Sequence, residues 1–250
     1  MKKYISYAFV LMALVACEKE ATEQSATNST AAVAVLHAAP GAPTVDLVVD
    51  GLVPKYSRRL TYGITALSGG AGNGQIYVPL LAGTRNIKVS ADSGRTNVFN
   101  ADLPFEVNKS YTAIVYDTLS AARNSLLVAR LEDNLSVPAT GQVHARFIHA
   151  SPRGGAWDVT FLRTSATPND SVTLTNRYYL GATPNVTTLS AFTPLPAGTY
   201  TLKIKAAGTQ NVVFSSSLGT NFATSGRIFT IVSIGTAQSQ ALATVNLRHY

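Results

Sequence analysis

Apolar and polar residues alternate one for one through much of this chain. Val45, Leu47 and Val49 alternate with Thr44, Asp46, Val48 and Asp50. Ile87 and Val89 alternate with Asn86, Lys88 and Ser90, and Tyr200, Leu202 and Ile204 with Thr201, Lys203 and Lys205. Successive strand side chains point to opposite faces, so this period marks half-buried β-strands. The blocks are short, rich in β-branched residues and separated by Gly, Pro, Asn and Ser, the pattern of a β-sandwich. Leu119 to Asp133 is ambiguous alone, because Ala121, Ala122, Leu126, Leu127 and Leu131 also suit a helix.

An internal repeat resolves it. His37-Ala38-Ala39-Pro40 is followed by Asp46, and His149-Ala150-Ser151-Pro152 by Asp158; each His-to-Asp spacing is 9 residues and the copies lie 112 apart. Leu81-Ala82-Gly83-Thr84 corresponds to Pro196-Ala197-Gly198-Thr199, Val98-Phe99 to Val213-Phe214, and Ser110–Val115 to Ile228–Ser233. The counterpart of the ambiguous segment, Ala241 to Leu247, alternates as a strand, so Ser125 to Glu132 is predicted as a strand. The expected fold is all-β: two tandem immunoglobulin-like antiparallel β-sandwich domains, 32–133 and 142–250. Pro138 and Gly141 punctuate a linker, 134–141.

The first residues change the picture of location. Lys2 and Lys3 precede an apolar stretch from Tyr4 to Val15, the layout of a signal peptide over residues 1–16. The stretch is well short of the ~20 residues that span a bilayer as a helix. Leu14-Val15-Ala16-Cys17 resembles the bacterial lipobox, which implies that Cys17 is acylated as the first mature residue. Cys17 is the only cysteine, and lipidation explains a lone thiol in a secreted chain. Residues 17–31 hold few apolar side chains and read as a lipidated cysteine with a disordered tether of roughly 20 Å reach. Glu18-Lys19-Glu20 lacks the Asp that resembles an inner-membrane retention signal, and is similar to the surface-export signal of Bacteroidota lipoproteins. The expected location is the cell envelope, as an outer-membrane lipoprotein on its periplasmic face or at the cell surface.

Charged residues make up only 13% of the chain and hydrophobic residues 46%, ample for cores. Removing the signal lowers the net charge from +7 to +5, since Lys2 and Lys3 leave with it. Arg58-Arg59 is the only adjacent basic pair past the signal, so no basic stripe for nucleic acid is present. The single cysteine excludes intrachain disulfides and multi-thiolate metal sites. Each domain is expected to hold together by its own core.

The pattern His-Ala-Ser-Pro, five residues, Asp and a strand, with a later Pro-Ala-Gly-Thr-Tyr, resembles a bacterial family, domain-of-unknown-function family 4397. The second unit fits through His149–Pro152, Asp158 and Pro196–Tyr200. The first departs at Ala39 and at Thr84-Arg85. The resemblance implies secreted or envelope β-sandwiches, often in tandem, and no activity.

His37 with Asp46, and His149 with Asp158, are the sharpest chemical candidates: such a pair suits a general-base dyad or part of a metal site. The structural reading is preferred, with His37, Pro40, Asp46, His149, Pro152 and Asp158 as a turn signature. An imidazole can donate to a turn carbonyl and a carboxylate can accept turn amides. Gly69–Gly74 lacks the helix and Gly-Lys-Ser/Thr ending of a phosphate loop. Tyr56, Tyr62, Tyr77, Trp157, Tyr178 and Tyr179 could stack on a sugar. Trp157 replaces core-facing Val45, which assigns it to the core, and of Tyr178 and Tyr179 one is expected to face outward. His144 and His249 have no evident partners and are read as incidental. No catalytic residue, metal or cofactor is expected. The expected function is a non-catalytic, lipid-anchored envelope protein acting as a binding, adhesive or spacer module. Its partners would be the membrane through Cys17 and an envelope protein or glycan, with Tyr178, Tyr179 and Trp157 as possible contacts. The alternatives are a glycan-binding accessory lipoprotein of a polysaccharide uptake system and a hydrolase or metal-dependent enzyme using a His/Asp site.

Overall fold

Among the described residues seven strands build the first unit: β1 (Thr30–His37), β2 (Val45–Val49), β3 (Val78–Leu81), β4 (Gly83–Ala91), β5 (Thr96–Phe105), β6 (Ser110–Tyr116) and β7 (Leu127–Asp133). They form two sheets, β3-β1-β6-β7 and β2-β4-β5. The second unit has β8 (Gln142–His149), β9 (Trp157–Arg163), β10 (Ser171–Arg177), β11 (Thr193–Pro196), β12 (Tyr200–Ala206), β13 (Val212–Ser217), β14 (Ile228–Thr236) and β15 (Gln240–Arg248). Its sheets are β11-β8-β14-β15 and β10-β9-β12-β13, with a short helix, α1 (Val186–Ser190), before β11. The computed structural model describes residues 29–54, 59–64, 76–91, 96–119, 124–164, 171–236 and 240–249. Cys17, the tether up to Asn28, Tyr56, Arg58 and the glycine loop 69–74 lie outside the described residues.

Both units are β-sandwiches, and the alternating segments lie in β2, β4 and β12 with Val45, Ile87, Val89, Tyr200, Leu202 and Ile204 buried. The strand predicted over Ser125 to Glu132 is found as β7, Leu127–Asp133, paired antiparallel with β6. The sheets are not purely antiparallel. β1 runs parallel to β6, from Ala32↔Ser110 to His37↔Val115, and β8 runs parallel to β14. A parallel neighbour needs a long crossover, here the passage through the other sheet, and alternation carries no information about direction.

Two cores fill the sandwiches. One gathers Val33, Val35, Val45, Val89, Phe105 and Tyr111, the other Phe147, Trp157, Phe161, Tyr200, Phe222 and Phe229. A third core corrects the expectation of two self-sufficient domains. The sheets β3-β1-β6-β7 and β11-β8-β14-β15 each turn a second apolar face towards the other unit. Leu36, Ile114, Tyr116 and Leu131 there form one cluster with Ile148, Val232, Ile234 and Leu247. That is why β6 and β14 read as nearly unbroken apolar runs, as strands covered on both faces do: β14 is buried at every position.

Candidate functional site

His37 and His149 end β1 and β8, and both rings are buried, with 0% and 1% exposure. Nε2 of His37 donates to the Pro43 carbonyl (3.1 Å) while Nδ1 accepts the Ala39 N–H (3.3 Å). Nε2 of His149 donates to the Gly155 carbonyl (3.2 Å), and its Nδ1 accepts the Ser151 N–H (3.3 Å). One neutral tautomer satisfies both bonds in each case. Burial lowers the pKa of both rings, that of His149 to about 4, against the raising effect of its carbonyl partner. Pro40 and Pro152 lead the same bend, followed by left-handed Gly41 (φ 74°) and Arg153 (φ 64°).

The aspartates do not join the histidines. Asp158 alternates with Trp157 on β9 and accepts the N–H groups of Gly208 and Asn176, both at 2.9 Å. Those two bonds hold its carboxyl below the usual range. Asp46 lies 3.9 Å from the exposed Arg59 Nε, a geometry of little energetic consequence.

Trp157 stacks on His149, centroids 3.5 Å apart and planes 10° off parallel. A Cβ on Gly154 would meet both rings at 2.8 Å. Five residues after its histidine the first unit has Ala42 instead, and Val45 in place of Trp157. Glycine therefore accompanies the tryptophan. Gly154→Ala should cost about 1–3 kcal/mol by overpacking, and a second change, Trp157→Val, should recover part of it. Denaturant unfolding of the full chain checks this; independent, additive effects would refute the steric account.

Between the two inner sheets lies a buried polar ring that joins the units. Arg146 of β8 forms a buried ion pair with Asp133 of β7. Arg146 Nε donates to Thr230 Oγ1 (2.8 Å), whose hydroxyl reaches His249 Nε2 (2.7 Å). His249 Nδ1 reaches the Tyr77 hydroxyl (2.5 Å), which donates to Asp133 Oδ2 (2.7 Å). Thr112 also donates to Asp133 Oδ2 (2.7 Å). Each O–H and N–H in this circuit has one acceptor if His249 carries its proton on Nδ1. Asp133 is 4.0 Å from His249 Nδ1, but desolvation outweighs the carboxylate and takes the imidazole pKa to about 4. The ring is therefore neutral near pH 7 and that contact is not an ion pair. Burial and Asp133 together push the Tyr77 phenol up. Arg146 also lies over Phe192, 4.5 Å from the ring centroid.

The adjacent tyrosines diverge. Tyr179 turns into the shared core, edge-on to Tyr116 and His149. Tyr178 is 68% exposed on a cleft of about 280 Å³ that Asn176, Arg177, Thr183, Asn185 and Thr188 also line. Tyr62 packs on the shared core and Tyr77 belongs to the polar ring, so the six aromatics do not form one platform. Among the described residues no three His, Cys, Asp or Glu gather to hold a metal, and no helix is long and apolar enough to cross a membrane.

A family model described as a domain of unknown function (DUF4397) matches residues 31–160, just over half of the chain. The chain belongs to the DUF4397 family. The DUF4397 match takes in the first unit, whose motif departs more from the expected pattern, and ends within β9. No curated protein matches the chain. Solved structures that are similar include the Bacillus anthracis TIE protein, at 12% identity and a TM-score of 0.23, covering 83% of this chain and 34% of that one. A leucine-rich repeat protein from Bacteroides thetaiotaomicron, at 12% identity and a TM-score of 0.18, covers 85% of this chain and 26% of its own. The DUF4397 chain thus spans about a third of the first and a quarter of the second, and likeness this slight bears on neither fold nor function.

Sequence reasoning missed the polar ring of this DUF4397 protein. His249, read as incidental, bonds a tyrosine 172 positions away. The available signal was Arg146, a charged residue set between Ala145 and Phe147-Ile148 in a strand-like segment.

Proposed function

We propose that this chain is a non-catalytic, lipid-anchored protein of the cell envelope. Its second unit would be a second copy of the family domain, and the pair would serve as one rigid binding, adhesive or spacer module. The observation that carries this reading is the shared core with its buried polar ring, which makes one body of the two sandwiches. Both nitrogens of His37 and of His149 serve their own turns, which leaves an acid-base role without a free imidazole nitrogen. The signal-like start and the lipobox at Cys17 supply the anchor. In detergent phase separation the wild type is expected in the detergent phase, and Cys17→Ser in the aqueous phase or unprocessed. Wild type in the aqueous phase would sink the anchor. Protease shaving of intact cells then separates surface display from the periplasmic face.

A second reading, a glycan-binding accessory protein, is favoured by one observation, the cleft beside Tyr178. An exposed aromatic face next to amide and hydroxyl side chains is what a sugar ring requires.

A further inference from the structure

We infer that the cleft at the end of β10 is a subsite for a sugar bearing a carboxylate, a hexuronic acid within an acidic polysaccharide. This rests on the glycan reading and adds the class of sugar and the residues that select it.

The two units act as an internal control. Val45 bridges to Leu60 where Trp157 pairs with Arg177. The Gly63 N–H bonds the His37 carbonyl where the Leu180 N–H bonds that of His149. Tyr62 and Tyr179 therefore correspond, and each meets its histidine edge-on. The difference lies in the two residues before them. The first unit has Leu60, 1% exposed in its core, and then Thr61. The second has Arg177 and Tyr178.

Leu60 shows what the sandwich itself asks of that position, an apolar side chain. Arg177 answers a different demand. Its Nε is buried with no hydrogen-bond partner among the described residues, an arrangement unfavourable to folding until a ligand completes it. Among the described residues no Asp or Glu lines the cleft. The nearest carboxylate on β9, Asp158, alternates away from Trp157 and is engaged by Gly208 and Asn176. An unbalanced guanidinium in a partly dry cleft selects a carboxylate, whose geometry it matches.

The remaining lining suits the rest of a sugar. Tyr178 offers a flat face for the C–H side of a pyranose. Thr183 and Thr188 bring hydroxyls. Asn185 uses its Oδ1 on the Thr188 N–H (3.1 Å), which leaves its amide hydrogens to donate. The cleft volume, about 280 Å³, lies just below the roughly 300–1,000 Å³ of small-molecule sites. It fits one sugar residue of a longer chain.

The test uses the full chain in detergent, with calorimetry against trisaccharides of galacturonate, glucuronate and mannuronate and against their methyl esters. At least one acid should bind, and its ester at least about tenfold more weakly, the loss of one charge-assisted contact. Arg177→Leu, which installs the sister unit's residue, should fold with an unchanged or raised Tm and lose about tenfold in affinity for the acid but not for the ester. Tyr178→Ala, at an exposed position, should weaken both. Equal binding of acid and ester, insensitive to Arg177→Leu but sensitive to Tyr178→Ala, would overturn the carboxylate assignment and leave the glycan reading standing. No binding of any probe at millimolar concentration would overturn both.

Discussion

Asp133→Ala is expected to lower the unfolding free energy of the whole chain by roughly 3–5 kcal/mol. The carboxylate is fully buried and accepts hydrogen bonds from Tyr77, Thr112 and Arg146. Removing it leaves the Arg146 guanidinium, 1% exposed at its side chain, charged in a dry interface, where its hydrogen-bond acceptors among the described residues are Thr230 and the Glu132 and Ser190 carbonyls. Replacing both partners, Asp133→Leu with Arg146→Met, should recover most of the loss, because an apolar pair of similar size carries no desolvation penalty. Guanidinium denaturation gives the values. The mutation should also act on both sandwiches at once, since its partners come from both: a single shifted transition is expected. A loss below about 1 kcal/mol, the scale of exposed pairs, or a transition in one unit alone, would refute the account.

Acid should destabilise the fold between about pH 6.5 and 4. His149 and His249 have ordinary values of 6.5 and lie at about 4 in the folded chain. Below 6.5 the unfolded chain binds protons that the folded chain refuses, so stability is complete above that pH and falls as pH drops towards 4. At about 1.4 kcal/mol per unit, each ring contributes on the order of 3 kcal/mol over the window. His37, lowered by the same burial, acts in the same direction. Asp158, whose pKa is lowered from 3.8, loses its contribution only at lower pH. Urea midpoints measured from pH 7.5 to 4.5 should fall steadily, and His249→Gln should flatten the slope. A constant midpoint across that range would show that both imidazoles admit protons in the folded state.

The sequence carries the sandwich through Val45/Leu47/Val49 and Tyr200/Leu202/Ile204, because one wet and one dry face impose period two. The repeat settles β7, which local pattern left between helix and strand. The pairing of the two units was harder to read. Tyr111–Tyr116 and Phe229–Ile234 are apolar on both faces, and a run of that kind says that something covers the second face without naming it. The polar ring draws on residues from Tyr77, just before β3, to His249, just after β15, and no spacing rule links the two. Among the candidate contacts, Tyr178 is legible as an outward tyrosine. Arg177 is not, because no motif anchors the alignment between Asp158 and Pro196, and its counterpart Leu60 emerges only from main-chain pairing.

The parallel run of β1 beside β6 has a mechanical meaning. Load applied at the N-terminal end of β1 is directed along that strand, which is hydrogen-bonded to β3 on one side and β6 on the other. With the far end of the molecule held, those bonds lie across the pull and must shear together, where a hairpin pulled from its open end would unzip one rung at a time. A strand clamped on both flanks and covered on both faces is suited to bear tension.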